Sequence, residues 1–258
     1  MISSVSNPKV KYVARLQNDR RFRRRERAFV AEGSRWALDV AAMQAAPLSV
    51  FVTEDWRNTA VHTDILSQLE ALAQRPSRLV TPQVMAAMSD TAAPPGILLV
   101  LPIQPRPLPA KPSLLLILDG IGTPGNLGTM LRTAAAAGAD AVLLAPGCVD
   151  AYNPKVVRGS MGALLRLPVK ALSWAKIEEV VRDTAVYTAT IDADITYTQV
   201  NWQRSSSLII GSEAHGVSPA ARQLTDTAIA IPMHAAAESL NAAIAAGVIL
   251  FEAARQRG

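Results

Sequence analysis

LLLILDGIGTPGNLGTMLRTAAAAGADAVLL, residues 114–144, decides the fold. Leu114–Leu118 is apolar without alternation, so a strand built from it is covered on both faces. Leu127–Ala137 follows with helical spacing and is stopped by Gly138, a residue that tolerates the left-handed backbone of a helix end. Ala141–Ala145 is a second apolar strand. The alternation continues outward. Strands are expected at Ala185–Thr190, Ser207–Ile210 and Ala228–Ile231, and a last helix from about Glu238 to Arg255. Apolar strands separated by helices predict an α/β fold with a parallel sheet.

Between the first strand and its helix lies DGIGTPGNLG, in which Gly120, Gly122 and Gly125 satisfy G-x-G-x-x-G. Glycines there permit a tight turn and close backbone approach, and the helix N-terminus attracts phosphate. This is the dinucleotide fingerprint, and it raises a nicotinamide-dependent oxidoreductase as one hypothesis; a purely structural turn is the plainer account. The fingerprint needs an acid about 20 residues on, at the carboxyl end of a strand. Asp140 has the spacing but precedes its strand, and Asp150 lies too far along.

Upstream, LPIQPRPLPAKP (Leu101–Pro112) holds five prolines, which neither a helix nor a sheet interior tolerates. It marks a linker at 103–112, separating a domain at 1–102 from one at 113–258. Two domains also suit 258 residues, at about 150 residues each. The first domain reads as small and α/β. A helix starts near Asn7-Pro8, Phe29-Val30 is a short apolar stretch, and Ser34 is placed to cap a helix running to about Met43. Leu48–Val52 and Ile97–Leu101 read as strands, and residues 64–73 as a helix.

The net charge of +5 is unevenly placed. Residues 1–35 carry ten Lys/Arg against Asp19, Glu26 and Glu32, an excess of +7; the remainder carries −2. The centre is RRFRRRER, Arg20–Arg27. Arginine forks match phosphate, and a one-sided basic cluster is an electrostatic footprint for nucleic acid. Arg20, Arg21, Arg23, Arg24 and Arg25 are the expected RNA contacts; a solvated helix face is the plainer account.

Composition closes other routes. Hydrophobic residues at 50% and charged residues at 18% exclude a disordered chain. The single Cys148 excludes a disulfide framework, and three scattered histidines argue against a metal centre, so no metal is expected. No apolar run approaches the ~20 residues of a membrane span, and the N-terminus lacks the apolar core of a secretory signal. A cytoplasmic location is expected. Cys148 and the tryptophans read as packing residues, with a stacking role open for Trp36. His215 and His234 read as structural.

Two further polar blocks remain. LIIGSEAHGVS (208–218) runs a strand into Gly-Ser-Glu, and Glu213 sits where a carboxylate adds little to stability. AIPMHAAAESLNAAIAAGVILFEAAR (230–255) ends a strand at Ile231-Pro232-Met233 and opens a helix around Ser239 and Asn241, either of which is a competent cap.

With GNLGTMLR (125–132), these blocks closely resemble the three motifs of the SpoU (TrmH-type) RNA ribose methyltransferases of the SPOUT superfamily. Asn126, Gly128 and Arg132 match the first motif, and Gly211, Glu213 and Gly216 the second. Ile231-Pro232-Met233 followed by Ser239-Leu240-Asn241 matches the third. The blocks keep their order over most of residues 114–258 and absorb the glycine loop. SNPKVKYVARL, the arginine run and FVAEGSRWALDVA resemble the substrate-binding domain that precedes many SpoU catalytic domains, itself similar to small RNA-binding ribosomal proteins.

The resemblance implies a deep trefoil knot in the second domain, S-adenosylmethionine as cofactor, a homodimer, and methylation of a ribose 2′-hydroxyl. Large-subunit ribosomal RNA is the favoured target, with transfer RNA as the alternative. It implies that Thr190, Gly211, Ile231, Met233, Ser239 and Leu240 hold the cofactor. Asn126, Arg132, Glu213 and Asn241 would be catalytic, with Asn126, Glu213 and Asn241 forming a polar network around Arg132, Glu213 the ordinary base candidate and Arg132, always protonated, orienting the target. A protein that kept this fold only to bind RNA is the third hypothesis.

Overall fold

The structure, a computed structural model, describes residues 1–234 and 239–258. The chain divides into two compact units, Met1–Gln104 with Tyr152–Leu165, and Pro105–Ala151 with Arg166–Gly258. The division falls inside the proline-rich stretch. The segment Tyr152–Leu165, which the sequence places with the second domain, packs with the first unit.

The first unit comprises α1 (Pro8–Asn18), α2 (Arg20–Glu26), β1 (Ala28–Glu32), α3 (Ser34–Ala42), β2 (Ser49–Val52), α4 (Glu54–Asn58), α5 (Thr63–Ala73), β3 (Arg78–Leu79), α6 (Pro82–Met88) and β4 (Ile97–Pro102). Its sheet has the order β1-β4-β2-β3, antiparallel except for β2–β3. The strands are apolar throughout because both faces are covered. Ala28, Val30, Phe51, Leu98 and Val100 meet the side chains of α1, α2 and α6. The alternate residues Phe29, Ala31, Val50, Ile97 and Leu99 meet α3, α4 and α5. Asn7 caps α1, accepting from the Lys9 amide at 2.9 Å, with Pro8 at the first helical position. Ser34 is not a cap. It is the first residue of α3, and its hydroxyl accepts from Trp56 Nε1 at 2.9 Å.

The second unit comprises β5 (Leu114–Asp119), α7 (Pro124–Ala136), β6 (Ala141–Leu144), then, after α8 (Pro154–Ser160) and α9 (Ala163–Arg166), β7 (Val169–Ala171), α10 (Trp174–Val181), β8 (Ala185–Ala189), β9 (Ser206–Gly211), α11 (Pro219–Leu224), β10 (Thr227–Ile229) and α12 (Ala242–Arg257). Its sheet is parallel throughout, in the order β10-β8-β9-β5-β6-β7. β5 lies in the middle, with Leu114–Leu118 at most 1% exposed. Each such side chain is worth about 1.5–3 kcal/mol of burial. Alternate residues of the strands pack on α10 and α11. α7 and α12 pack on each other, with Gly247 opposite the Thr133 methyl.

Two sequence expectations shift here. The edge strand β7 has no apolar run to announce it. The last helix starts at Ala242, not near Glu238; Glu238 lies outside the described residues, and Ser239 and Leu240 are not helical. The α/β class and the parallel sheet stand as expected.

Candidate active site

Parallel strands leave their last carbonyls and amides unpaired at one edge, and ligands of open α/β sheets bind outside the carboxyl ends of the strands. A cavity of about 650 Å³ opens there, at the ends of β8, β9 and β10 and beside the start of α12. Its volume suits a nucleoside-sized ligand. Thr190, Gly211, Ile231, Met233, Ser239 and Leu240 all line it, and so do Glu213 and Asn241. Gly120, Gly122 and Gly125 do not line this cavity; Gly120 follows β5 at φ +69° and α7 begins four residues later, so the glycine loop makes the turn between them.

The loop after β9 is shaped by close approach. A Cβ on Gly211 would stand 2.4 Å from the Gly216 carbonyl carbon and oxygen, so a side chain there cannot be accommodated without moving backbone. The two strands of this tight loop exchange bonds, Ser212 N to Gly216 O at 3.0 Å and Gly216 N to Ser212 O at 2.9 Å. Beyond it, the Ser218 amide donates at 2.6 Å to the buried Asp119 carboxylate at the end of β5. The loop is thereby tied to the centre of the sheet and carries Glu213.

Three polar side chains from three distant segments meet. Asn126 Nδ2, in the first turn of α7, donates to Glu213 Oε1. Asn126 Oδ1 accepts from Asn241 Nδ2 at 3.3 Å. Asn241 caps α12, its Oδ1 accepting from Ala243 N at 2.9 Å and Ile244 N at 3.3 Å. The relay has one direction: helix amides donate to Asn241, Asn241 to Asn126, and Asn126 to the carboxylate. A carboxylate oriented in this way at a cavity wall is competent to accept a proton or hold a hydroxyl.

Arg132 stands apart from this trio. It is exposed on α7, in line with Gly125, Thr129 and Ala136, and makes no side-chain bond with a described residue. Six residues after Asn126 on a 100° helix, it faces another direction.

The cavity also tests whether a cofactor of the implied kind fits. Ile210, Ile231, Met233 and Leu240 offer apolar wall. The Thr190 hydroxyl oxygen is buried without a hydrogen-bond partner among the described residues, an arrangement a polar ligand would satisfy. The residues present fit an amphipathic nucleoside. Asp192 and Arg222 line the same wall and were not foreseen, since each lies outside any motif.

The arginine run divides. Arg20, Arg21, Arg24 and Arg25 are exposed. Arg23 is not a surface contact: it is 4% exposed, and its Nη1 donates to Leu16 O at 2.7 Å and Gln17 O at 3.0 Å, closing the end of α1. Phe22 packs inward between the Arg15 and Arg25 guanidiniums, which stand 4.4 and 4.8 Å from its ring centre. Trp36 is buried against Phe29, so it packs and does not present a stacking face. Cys148 is half-buried, its Sγ donating to Leu118 O at 3.1 Å, and burial raises its pKa above the ordinary thiol value. Among the described residues no cluster of His, Cys, Asp and Glu could hold a metal, and no helix is long and apolar enough to cross a membrane.

Comparison with known proteins agrees with this geometry. Residues 113–251 match the SpoU rRNA methylase family, and residues 7–99 match an MRM3-like substrate-binding domain. An uncharacterized tRNA/rRNA methyltransferase of Synechocystis is 35% identical over 99% of this chain and 94% of its own length. The 23S rRNA (guanosine(2553)-2′-O)-methyltransferase of Bacillus subtilis is 31% identical, over 97% of each chain. The crystal structure of the SpoU methyltransferase AviRb of Streptomyces viridochromogenes, in complex with the cofactor AdoMet, superposes with a TM-score of 0.83 at 25% identity. That superposition covers 97% of this chain and 99% of the other.

Proposed function

The chain belongs to the SpoU rRNA methylase family, and from that premise we propose that it is an S-adenosylmethionine-dependent methyltransferase of a ribose 2′-hydroxyl in large-subunit ribosomal RNA. The observation that carries the proposal is the meeting of Asn126, Glu213 and Asn241 at a cavity whose wall is built from the second and third motifs. The relatives that cover nearly the whole chain include a 23S rRNA methyltransferase, which favours ribosomal over transfer RNA.

When bound, S-adenosylmethionine supplies a sulfonium methyl group for in-line displacement. The chain's part is to position and deprotonate the acceptor. Thr190, Gly211, Ile231, Met233, Ser239 and Leu240 hold the cofactor. The Glu213 carboxylate, oriented by Asn126, accepts the proton of the 2′-hydroxyl. Asn241 holds Asn126 in register with the start of α12. Arg132 stays protonated and orients the target's phosphate. Because Arg132 turns away from its own cavity, we assign it to the cavity of a second copy in a homodimer. Ile244 and Phe251, 56% and 53% exposed on α12, support such a contact beside α7. The first unit presents Arg20, Arg21, Arg24 and Arg25 to RNA. The deep trefoil knot and a cytoplasmic location belong to the same proposal.

The test is transfer of labelled methyl from S-adenosylmethionine to undermodified ribosomal RNA and, separately, transfer RNA. Label is expected in ribosomal RNA, at a ribose that resists alkaline cleavage. Arg132→Ala should lower the rate by about 10²-fold or more, the scale of losing one charged transition-state contact. Absence of label in both RNAs overturns the proposal.

A further inference from the structure

Neither acid near the glycine loop is placed to read a ribose. Asp140 is engaged at the other end of β5, accepting from Ser113 N at 2.5 Å and Leu114 N at 2.8 Å. Asp150 is not part of the cavity wall. Asp192 is. It stands three residues beyond β8, at the carboxyl edge of the parallel sheet, and lines the cavity. Its side chain is exposed and bonds to no described residue. The other two ionisable groups of the wall are unsuited to a diol: Glu213 is engaged by Asn126, and Arg222 has no lone pair to offer a hydroxyl. Two residues before Asp192, the Thr190 hydroxyl oxygen is buried and has no hydrogen-bond partner among the described residues, a second polar group on the same stretch that points to a polar ligand.

A vicinal diol has two O–H donors, and an ionised carboxylate has two acceptor oxygens and nothing to donate. A carboxylate just past a parallel strand is also where dinucleotide folds hold ribose hydroxyls. We propose that Asp192 determines cofactor specificity, its carboxylate accepting from the 2′- and 3′-hydroxyls of the S-adenosylmethionine ribose. This rests on the function proposed above and adds to it the group that distinguishes an adenosine ligand from a deoxyadenosine one.

The experiment is calorimetric titration of the full chain with S-adenosylhomocysteine and with its 2′,3′-dideoxy analogue, for wild type, Asp192→Ala and Asp192→Asn. Asp192→Ala should weaken S-adenosylhomocysteine by about tenfold or more, the scale of one charge-assisted hydrogen bond. Asp192→Asn, which keeps one acceptor without the charge, should fall between. The dideoxy analogue should bind wild type and both variants within about twofold, as expected when the removed groups are each other's partners. Equal losses for both ligands, or no loss for S-adenosylhomocysteine, overturn the assignment of Asp192 alone. Failure of the wild-type chain to bind S-adenosylhomocysteine overturns the proposed function and this assignment with it.

Discussion

Asn241 does two jobs that one pair of substitutions separates. Its Oδ1 accepts from two amides at the start of α12, and its Nδ2 donates to Asn126. Asn241→Ala removes both. Loss of an N-cap costs about 1 kcal/mol, and loss of a neutral hydrogen bond about another 1 kcal/mol. The sum of about 2 kcal/mol is a factor of roughly 30 in the folding equilibrium. For a unit of this size it lowers the melting temperature by about 6 °C. Asn241→Asp keeps the cap, and its charge suits a helix N-terminus. It replaces the donor to Asn126 Oδ1 with a second acceptor, so it breaks the relay while sparing the helix. Scanning calorimetry and methyl transfer together read the two effects. Asn241→Asp should melt within about 2 °C of wild type, a loss of well under 1 kcal/mol, yet transfer methyl about fivefold to tenfold more slowly, the value of one hydrogen bond in the relay. Equal destabilisation by both substitutions would refute the cap, and full activity in Asn241→Asp would refute the relay.

Other outcomes follow from the same geometry. Gly211→Ala puts a methyl on the Gly216 carbonyl, so it should cost about 1–3 kcal/mol and weaken S-adenosylhomocysteine binding, both readable in one thermal-shift series with and without ligand. Arg23→Ala leaves two buried carbonyls unpaired and should destabilise the first unit by about 2–3 kcal/mol in urea titrations. Arg24→Ala should leave stability unchanged, weaken RNA binding, and reduce the slope of log affinity against log salt by about 1. Glu252, held by Arg255 and Gln256, has its pKa lowered to about 2. Its contribution to stability is therefore present above the unfolded value near 4.5 and is lost as pH falls toward 2, a course that a carboxyl NMR titration of Glu252 would trace. Cys148, raised by burial, should react with iodoacetamide at pH 8 more slowly than a free thiol.

Much of the site was legible along the chain. The segments ending at Glu213 and Met233 announced themselves because polar groups followed apolar strands, and Asn241 because it preceded a long helix. Arg23 is hidden for a local reason: a run of six arginines in eight residues looks uniformly basic, and nothing in it marks the residue that turns inward to close α1. Asp192 and Arg222 carried no motif, because cavity walls are made by whichever residues the loops bring there. The start of α12 was set too early because Ser239 and Asn241 are both competent caps in sequence, and only the geometry shows which one receives the helix amides.

The sequence by itself determined the parallel sheet, the proline-rich break between the two units and the order of the three motifs. These follow from short-range rules: an apolar run must be buried on both faces, and a proline-rich stretch admits neither helix nor sheet interior. Tertiary structure alone decided that Asn126 meets Glu213 across 87 residues and Asn241 across 115. It also decided that Tyr152–Leu165 packs with the first unit and that Arg132 turns from its own cavity. Such pairings depend on strand order and loop closure, which are contacts between distant segments, and no periodicity within one segment encodes them.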